Sequence, residues 1–247
     1  MHIGLFIPCY IDQFYPGVGI STYRLLKKLG CEVDYPLDQS CCGQPMSNSG
    51  FSALSKGCDA NFIRNFKGYD YIVAPSGSCV LHVKEHLQGS EDQGEAAGHI
   101  RAHIYELTEF LVDVLQVQGL PSVFPYRVGM HVSCHGQRGL HLSSMSERML
   151  PEFSKAEELL GMVSGLELFY PARRDECCGF GGTFCVFEEA VSVKMGQDRI
   201  AEHAANEVDY ITAGDSSCLM HLEGLLRRQG SRIRTIHLAE ILNHEKI

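Results

Sequence analysis

The sequence predicts an α/β protein made of two tandem, duplicated domains, each a small, mostly parallel sheet flanked by helices. Three observations support this: an internal repeat, strand-like and helix-like segments alternating within each repeat, and a Cys-Cys-Gly motif at matching places in both. "DYIVAPSGSCVLH" (70–82) aligns without a gap to "DYITAGDSSCLMH" (209–221), with seven of thirteen positions identical. "VDYPLDQSCCG" (33–43) matches "LFYPARRDECCG" (168–179), "IYELTEFL" (104–111) matches "TIHLAEIL" (235–242), and "HIGLFIPCY" (2–10) matches "RVGMHVSCH" (127–135). The order of features is the same in both halves. The boundary therefore falls near "GLPSVFPY" (119–126), which gives expected domains 1–121 and 122–247.

In chain order, residues 2–8 read as a buried strand. "VGISTYRLLKKLG" (18–30) has helical spacing and stops at Gly30. "CEVDYP" is a strand cut short by Pro36. After the double cysteine, 51–66 reads as a helix and "DYIVAP" (70–75) as a strand ended by Pro75. "SCVLHVKEHL" (78–87) is expected to be a helix opening on a serine cap, and "QGSEDQGEAAGH" (88–99) an exposed loop. The second half repeats the pattern with helices expected near 143–161, 187–206 and 217–229. Strands alternating with helices imply parallel sheets.

At 247 residues with 45% hydrophobic and 21% charged residues, the composition is that of a globular protein with sizeable cores. A net charge of −9 argues against nucleic acid or an anionic membrane as partner, since both select basic patches. No apolar run approaches the ~20 residues of a membrane helix, so no direct membrane insertion is expected. "MHIGLFIPCYI" lacks a basic flank, contains Pro8 and reads as the first strand, not as a signal peptide; a cytoplasmic location is the expectation. Eleven cysteines without an export signal favour metal binding or redox chemistry over a disulfide framework.

Eight cysteines recur in the repeat: Cys9, Cys41, Cys42 and Cys79 in the first half, Cys134, Cys177, Cys178 and Cys218 in the second. Each lies where a strand gives way to a loop or helix. The carboxyl ends of parallel strands share one edge, so three separated segments should bring four thiols together in each half. Zinc is the alternative to an iron–sulfur cluster, but structural zinc sites favour short C-x2-4-C hooks, and none is present here. An adjacent pair strains ligation of a single tetrahedral ion, whereas the irons of one cluster can take neighbouring thiolates separately.

Two copies of Cys, a long gap, Cys-Cys-Gly, a second gap and a terminal Cys resemble the cysteine-rich CCG-domain proteins. That family includes the B subunit of heterodisulfide reductase, the iron–sulfur subunit of glycolate oxidase and the small iron–sulfur subunit of bacterial lactate-utilisation systems. The chain length, "CCGFGGTF" and "SSCLMHLEG" look most like the last of these. The resemblance implies an electron-transfer subunit with an iron–sulfur cluster in each repeat, and four cysteines per half suffice in number for a [4Fe–4S] cluster. It also implies other iron–sulfur subunits as partners in a complex that oxidises L-lactate to pyruvate. A thiol–disulfide redox subunit like the heterodisulfide reductases, or a zinc-binding structural protein, are the rival readings. The fullest family motif ends in Cys-x-x-Cys and, with five cysteines per repeat, supports a noncubane cluster; here Ser76 and Asp215 replace its first cysteine, which leaves four per half and both the cubane and the noncubane form open. Asp215 is a candidate oxygen ligand but is expected as an N-cap.

Cys31 and Cys58 have no counterpart in the repeat and are expected to be small buried hydrophobes. Cys185, in "CCGFGGTFC", is a candidate extra ligand or redox thiol. His82 and His221 are equivalent residues one helical turn beyond Cys79 and Cys218, placed either to donate to cluster sulfurs or simply to pack. His135 follows Cys134 but is not repeated. "GFGG" (179–182) lacks the dinucleotide spacing and reads as glycines that let backbone approach a cluster. Arg173 and Arg174 are candidates to offset cluster charge or to lie in solvent.

Overall fold

The computed structural model describes residues 1–149 and 151–245 and contains two four-stranded sheets, parallel throughout. In the first, His2–Leu5 (β1), Glu32–Asp34 (β2), Tyr71–Ala74 (β3) and Ile104–Glu106 (β4) run in the order β2-β1-β3-β4. In the second, Arg127–Met130 (β5), Glu167–Phe169 (β6), Tyr210–Ala213 (β7) and Arg234–His237 (β8) run in the equivalent order β6-β5-β7-β8. Register is preserved as well: Ile3 lies opposite Val33 and Tyr71, and its counterpart Val128 lies opposite Leu168 and Tyr210. Helices fill each crossover, as parallel pairing requires.

The central strands are buried on both faces, which is why β1, β3, β5 and β7 read as apolar runs and not as alternating ones. One face of each sheet packs into a single core shared by the halves, which includes Ile3, Leu5, Leu25 and Phe110 from the first and Val128, Met130, Leu159 and Ile241 from the second. The other face of each sheet builds a separate core. Cys42 and Cys79 belong to that core in the first half, and Cys178 to its counterpart. The duplicated sheets thus associate through one apolar face and keep the thiol-bearing face apart.

Three local expectations are corrected. The segment expected to be a loop, 88–99, turns helical at Gly94–His103 with Ala97 and Ile100 buried; its glycines and charges mask a short apolar spacing. The expected helix near 143–161 is confined to Lys155–Leu160, with Leu150 outside the described residues. Ahead of it, Ser143 pairs antiparallel with Ser154, the Ser144 N–H donates to the Phe153 carbonyl at 2.9 Å, and Pro151 suits that irregular course better than a helix interior. The helix expected at 78–87 is Gly77–His86, and its cap is Ser76, not Ser78.

Candidate metal centres

In the first half, Cys9 opens helix Cys9–Phe14 directly after β1, Cys41 and Cys42 lie in the loop after β2, and Cys79 sits in the first turn of Gly77–His86 after β3. All three segments leave the carboxyl edge of the sheet. The Cys9 and Cys41 sulfurs are 3.7 Å apart, and thiol contacts continue from Cys41 to Cys42 and on to Cys79. The second half repeats the chain of contacts as Cys134–Cys177–Cys178–Cys218. Every cysteine in the structure is a free thiol.

The glycine of each Cys-Cys-Gly motif has a backbone reason. Gly43 and Gly179 both adopt φ of 92°. That conformation turns the Gly43 N–H onto Cys41 Sγ at 3.4 Å and the Gly179 N–H onto Cys177 Sγ at 3.3 Å. A side chain is also sterically excluded, because a Cβ on Gly43 would stand 2.9 Å from Ser55 Cβ and one on Gly179 2.6 Å from the Ser192 carbonyl.

These donors polarise each set of thiols. Hydrogen bonds from Cys42 and then Cys9, backed by the Gly43 N–H, hold the Cys41 thiol low. Cys134, Cys178 and Gly179 do the same for Cys177. Cys9 and Cys42, and likewise Cys134 and Cys178, are pushed up, first by sharing their protons with the low partner and then by burial. One thiolate steadied by backbone in a pocket of neighbouring thiols is a soft donor set, suited to thiolate-ligated metal and iron–sulfur chemistry.

Beneath the thiols the halves differ. Phe6 meets Phe62 at 4.8 Å and Phe66 at 5.7 Å between ring centroids, both edge to face. The repeat places His131 at the position of Phe6. His203 packs on Gly129 as Phe66 packs on Gly4, and Arg199 precedes it by one helical turn as Phe62 precedes Phe66. All three second-half residues have no exposed surface, and both ring nitrogens of both histidines lack a hydrogen-bond partner. Burial, with His203 and Arg199 close by, pushes His131 down to about 3 and keeps its imidazole neutral. The ligand atoms of His131, Cys178 and Cys218 lie within 4.8 Å of one another. Residue type along the chain did not single out these three, although the aligned Phe6/His131 pair carried the signal.

Ser76 and Asp215 do not face the thiols in equivalent ways. Ser76 caps its own helix, its Oγ accepting from the Cys79 N–H at 3.5 Å. Asp215 occupies the N-cap position of helix Ser216–Arg228 but makes no side-chain cap bond there. Its carboxylate crosses to the other half and accepts from Ser76 Oγ at 2.9 Å, Ser78 Oγ at 2.8 Å and the Ser78 N–H at 3.2 Å. The expected cap residue therefore caps the first half's helix.

The remaining candidates divide between packing and surface roles. His221 Nε2 lies 3.3 Å from the Ser192 carbonyl, and Ser192 Oγ donates to the Gly179 carbonyl at 2.7 Å, so this histidine braces the Cys-Cys-Gly loop. His82 is buried beside Gly43, and burial lowers it to about 4. His135 is exposed. Cys31 is buried in the shared core as expected, whereas Cys58 is only half-buried and its Cβ approaches the position a Gly43 Cβ would take. Cys185 Sγ donates to the Gly182 carbonyl at 3.0 Å. Gly181 and Gly182 take left-handed φ values of 52° and 65°, which shape the turn after the second pair. Arg173 pairs with Glu176 and Glu202, and Arg174 pairs with Glu152 while lying 4.2 Å from the Tyr170 ring centroid; both meet surface partners instead of the thiols.

Two parallel α/β halves, each gathering cysteines from three strand ends, define a cysteine-rich class whose clustered thiols suit metal binding. The chain belongs to the family of the CCG cysteine-rich domain, whose model matches residues 3–84 and 128–223. It is 40% identical to the lactate utilization protein A of Geobacillus thermodenitrificans over 99% of both chains. It is 40% identical to that of Geobacillus kaustophilus over 98% of this chain and 99% of the relative, and 38% identical to that of Halalkalibacterium halodurans over 100% and 98%. Among solved structures it is similar to an aspartate racemase homologue of Pyrococcus horikoshii at 11% identity and a TM-score of 0.33, over 98% of this chain and 95% of that one. Among the described residues, no helix is long and apolar enough to cross a membrane.

Proposed function

We propose that this protein is the iron–sulfur electron-transfer subunit of a cytoplasmic complex that oxidises L-lactate to pyruvate. Cys9, Cys41, Cys42 and Cys79 would hold one [4Fe–4S] cluster, and Cys134, Cys177, Cys178 and Cys218 the other, in domains 1–121 and 122–247. The observation that carries the reading is the duplicated convergence of four free thiols at a sheet's carboxyl edge. Relatives named for lactate utilisation, matched over nearly their whole length, support a role in lactate utilisation.

A bound cluster supplies reversible one-electron storage. The chain's own part is to place the thiolates, to donate the Gly43 and Gly179 N–H groups to sulfur, and to bury Cys42, Cys79 and Cys178 against apolar side chains. Exposed Phe14, Phe51, Leu54, Val186 and Phe187 lie on the segments that carry or follow the first cysteine and the two Cys-Cys-Gly loops, and they suit docking of partner subunits. Iron and acid-labile sulfide assayed on anaerobically purified protein test the reading directly. About four irons and four sulfides per site are expected; zinc without sulfide would overturn it in favour of the zinc alternative. Turnover of a disulfide by the isolated chain, with lactate oxidation unaffected by its deletion, would favour the heterodisulfide-type reductase.

A further inference from the structure

The duplicated sites are alike in their cysteines but not in the floor beneath them. In the first half the floor is Phe6, Phe62 and Phe66; in the second the same places hold His131, Arg199 and His203. A buried imidazole with neither nitrogen bonded is destabilised relative to one with partners. Such a group calls for an unrecorded partner. Arg199 is not that partner: a guanidinium only donates, its Nη groups are engaged with Glu202 and the Arg173 carbonyl, and its buried Nε has no partner either. His203 stands farther back, against Gly129. His131 has a nitrogen within 4.8 Å of both Cys178 Sγ and Cys218 Sγ, which are within that distance of each other. That spacing lets a single metal ion touch all three.

We propose that His131 supplies an imidazole nitrogen ligand to the metal centre of the second half, making it a mixed nitrogen–sulfur site while the first half's centre is all-thiolate. This rests on the reading that the thiols bind metal, but not on which metal they bind. The repeat itself is the control: at the equivalent position the first half carries Phe6, which has no donor atom.

X-ray absorption at the edge of the co-purifying metal tests this on full-length protein carrying Cys42→Ser, so that only the second centre is loaded; added Zn2+ is the probe if no metal co-purifies. A nitrogen shell with the multiple scattering of imidazole is expected. It should vanish in Cys42→Ser/His131→Phe, which copies the first half, and be absent from Cys178→Ser protein, where only the first centre is loaded. A sulfur-only shell in the Cys42→Ser protein overturns the proposal and needs no histidine variant to be read. Acid-labile sulfide in the same samples separates the two questions. Iron with sulfide but no nitrogen leaves the cluster reading standing and sinks His131 as a ligand. Zinc with nitrogen and no sulfide does the reverse.

Discussion

Gly179 shows how much one residue contributes to each site. Its φ of 92° turns an N–H onto Cys177, and its missing side chain leaves room for the Ser192 carbonyl. Gly179→Ala should therefore lose about 1–3 kcal/mol from backbone strain alone, with more from the clash. Metal content at the second site should drop, as read by denaturant midpoint and metal analysis. Among the thiols, Cys42→Ser and Cys178→Ser should each abolish the absorbance of one centre, because each removed sulfur sits mid-chain in its row of thiol contacts. Cys58→Ser should retain metal at the level of the unaltered protein, and equal loss there would show that Cys58 belongs to the ligand set. The eight recurring cysteines were legible in the sequence because duplication marks them twice. Cys58's place beside Gly43 was not, since proximity across a helix–loop contact leaves no pattern along the chain.

At the scale of elements, helix Gly77–His86 begins at the seam between the halves, and its own cap Ser76 is supplemented by the Asp215 carboxylate of the other half. Asp215→Ala would leave the Ser78 N–H and one of the two serine hydroxyls buried without an acceptor, since Ser76 Oγ and Ser78 Oγ, 3.2 Å apart, can satisfy only one of the pair between them. A cost of at least about 2 kcal/mol follows, and Asp215→Asn, which keeps an acceptor oxygen, should cost less; urea unfolding of the two variants measures the difference. The sequence showed a capping residue before a helix but not which helix it serves, because N-cap preference is local and the actual acceptor geometry is set by sheet packing. Helix Gly94–His103 was missed for a related reason: Ala97 and Ile100 are buried in a core built with β3 and helices Lys56–Phe66 and Gly77–His86, which meet only on folding.

At the scale of the whole molecule, the equivalent positions ending β4 and β8 carry Glu106 and His237, each buried within a capping box. Burial raises Glu106 to about 7 despite hydrogen bonds from Thr108, and one carboxylate oxygen has no partner. Burial lowers His237 to about 4. The signs are opposite. Between its unfolded value near 4.5 and about 7, folded Glu106 keeps a proton that the unfolded chain has lost, so this group subtracts stability as pH rises. His237 stays neutral while the unfolded chain binds a proton, so it subtracts stability as pH falls from about 6.5 towards 4. Glu106→Gln should therefore match the unaltered protein near pH 4 and exceed it progressively up to pH 7, by at most about 3 kcal/mol. Unfolding free energies of the metal-free protein across that range check it; a constant difference would show that Glu106 is charged throughout.

Duplication, strand–helix alternation and the paired cysteines were written in the order of residues, because repeats and hydrophobic periods are properties of the chain itself. The shared core, the cap exchanged at the seam and the unlike floors under the two sets of thiols were decided only by folding. They depend on which faces meet, and residues far apart in sequence acquire their roles from what burial places beside them. His131 is the clearest case: in the sequence it is an unremarked partner to Phe6, and in the fold it is a neutral imidazole with no hydrogen bond, held beside two thiols.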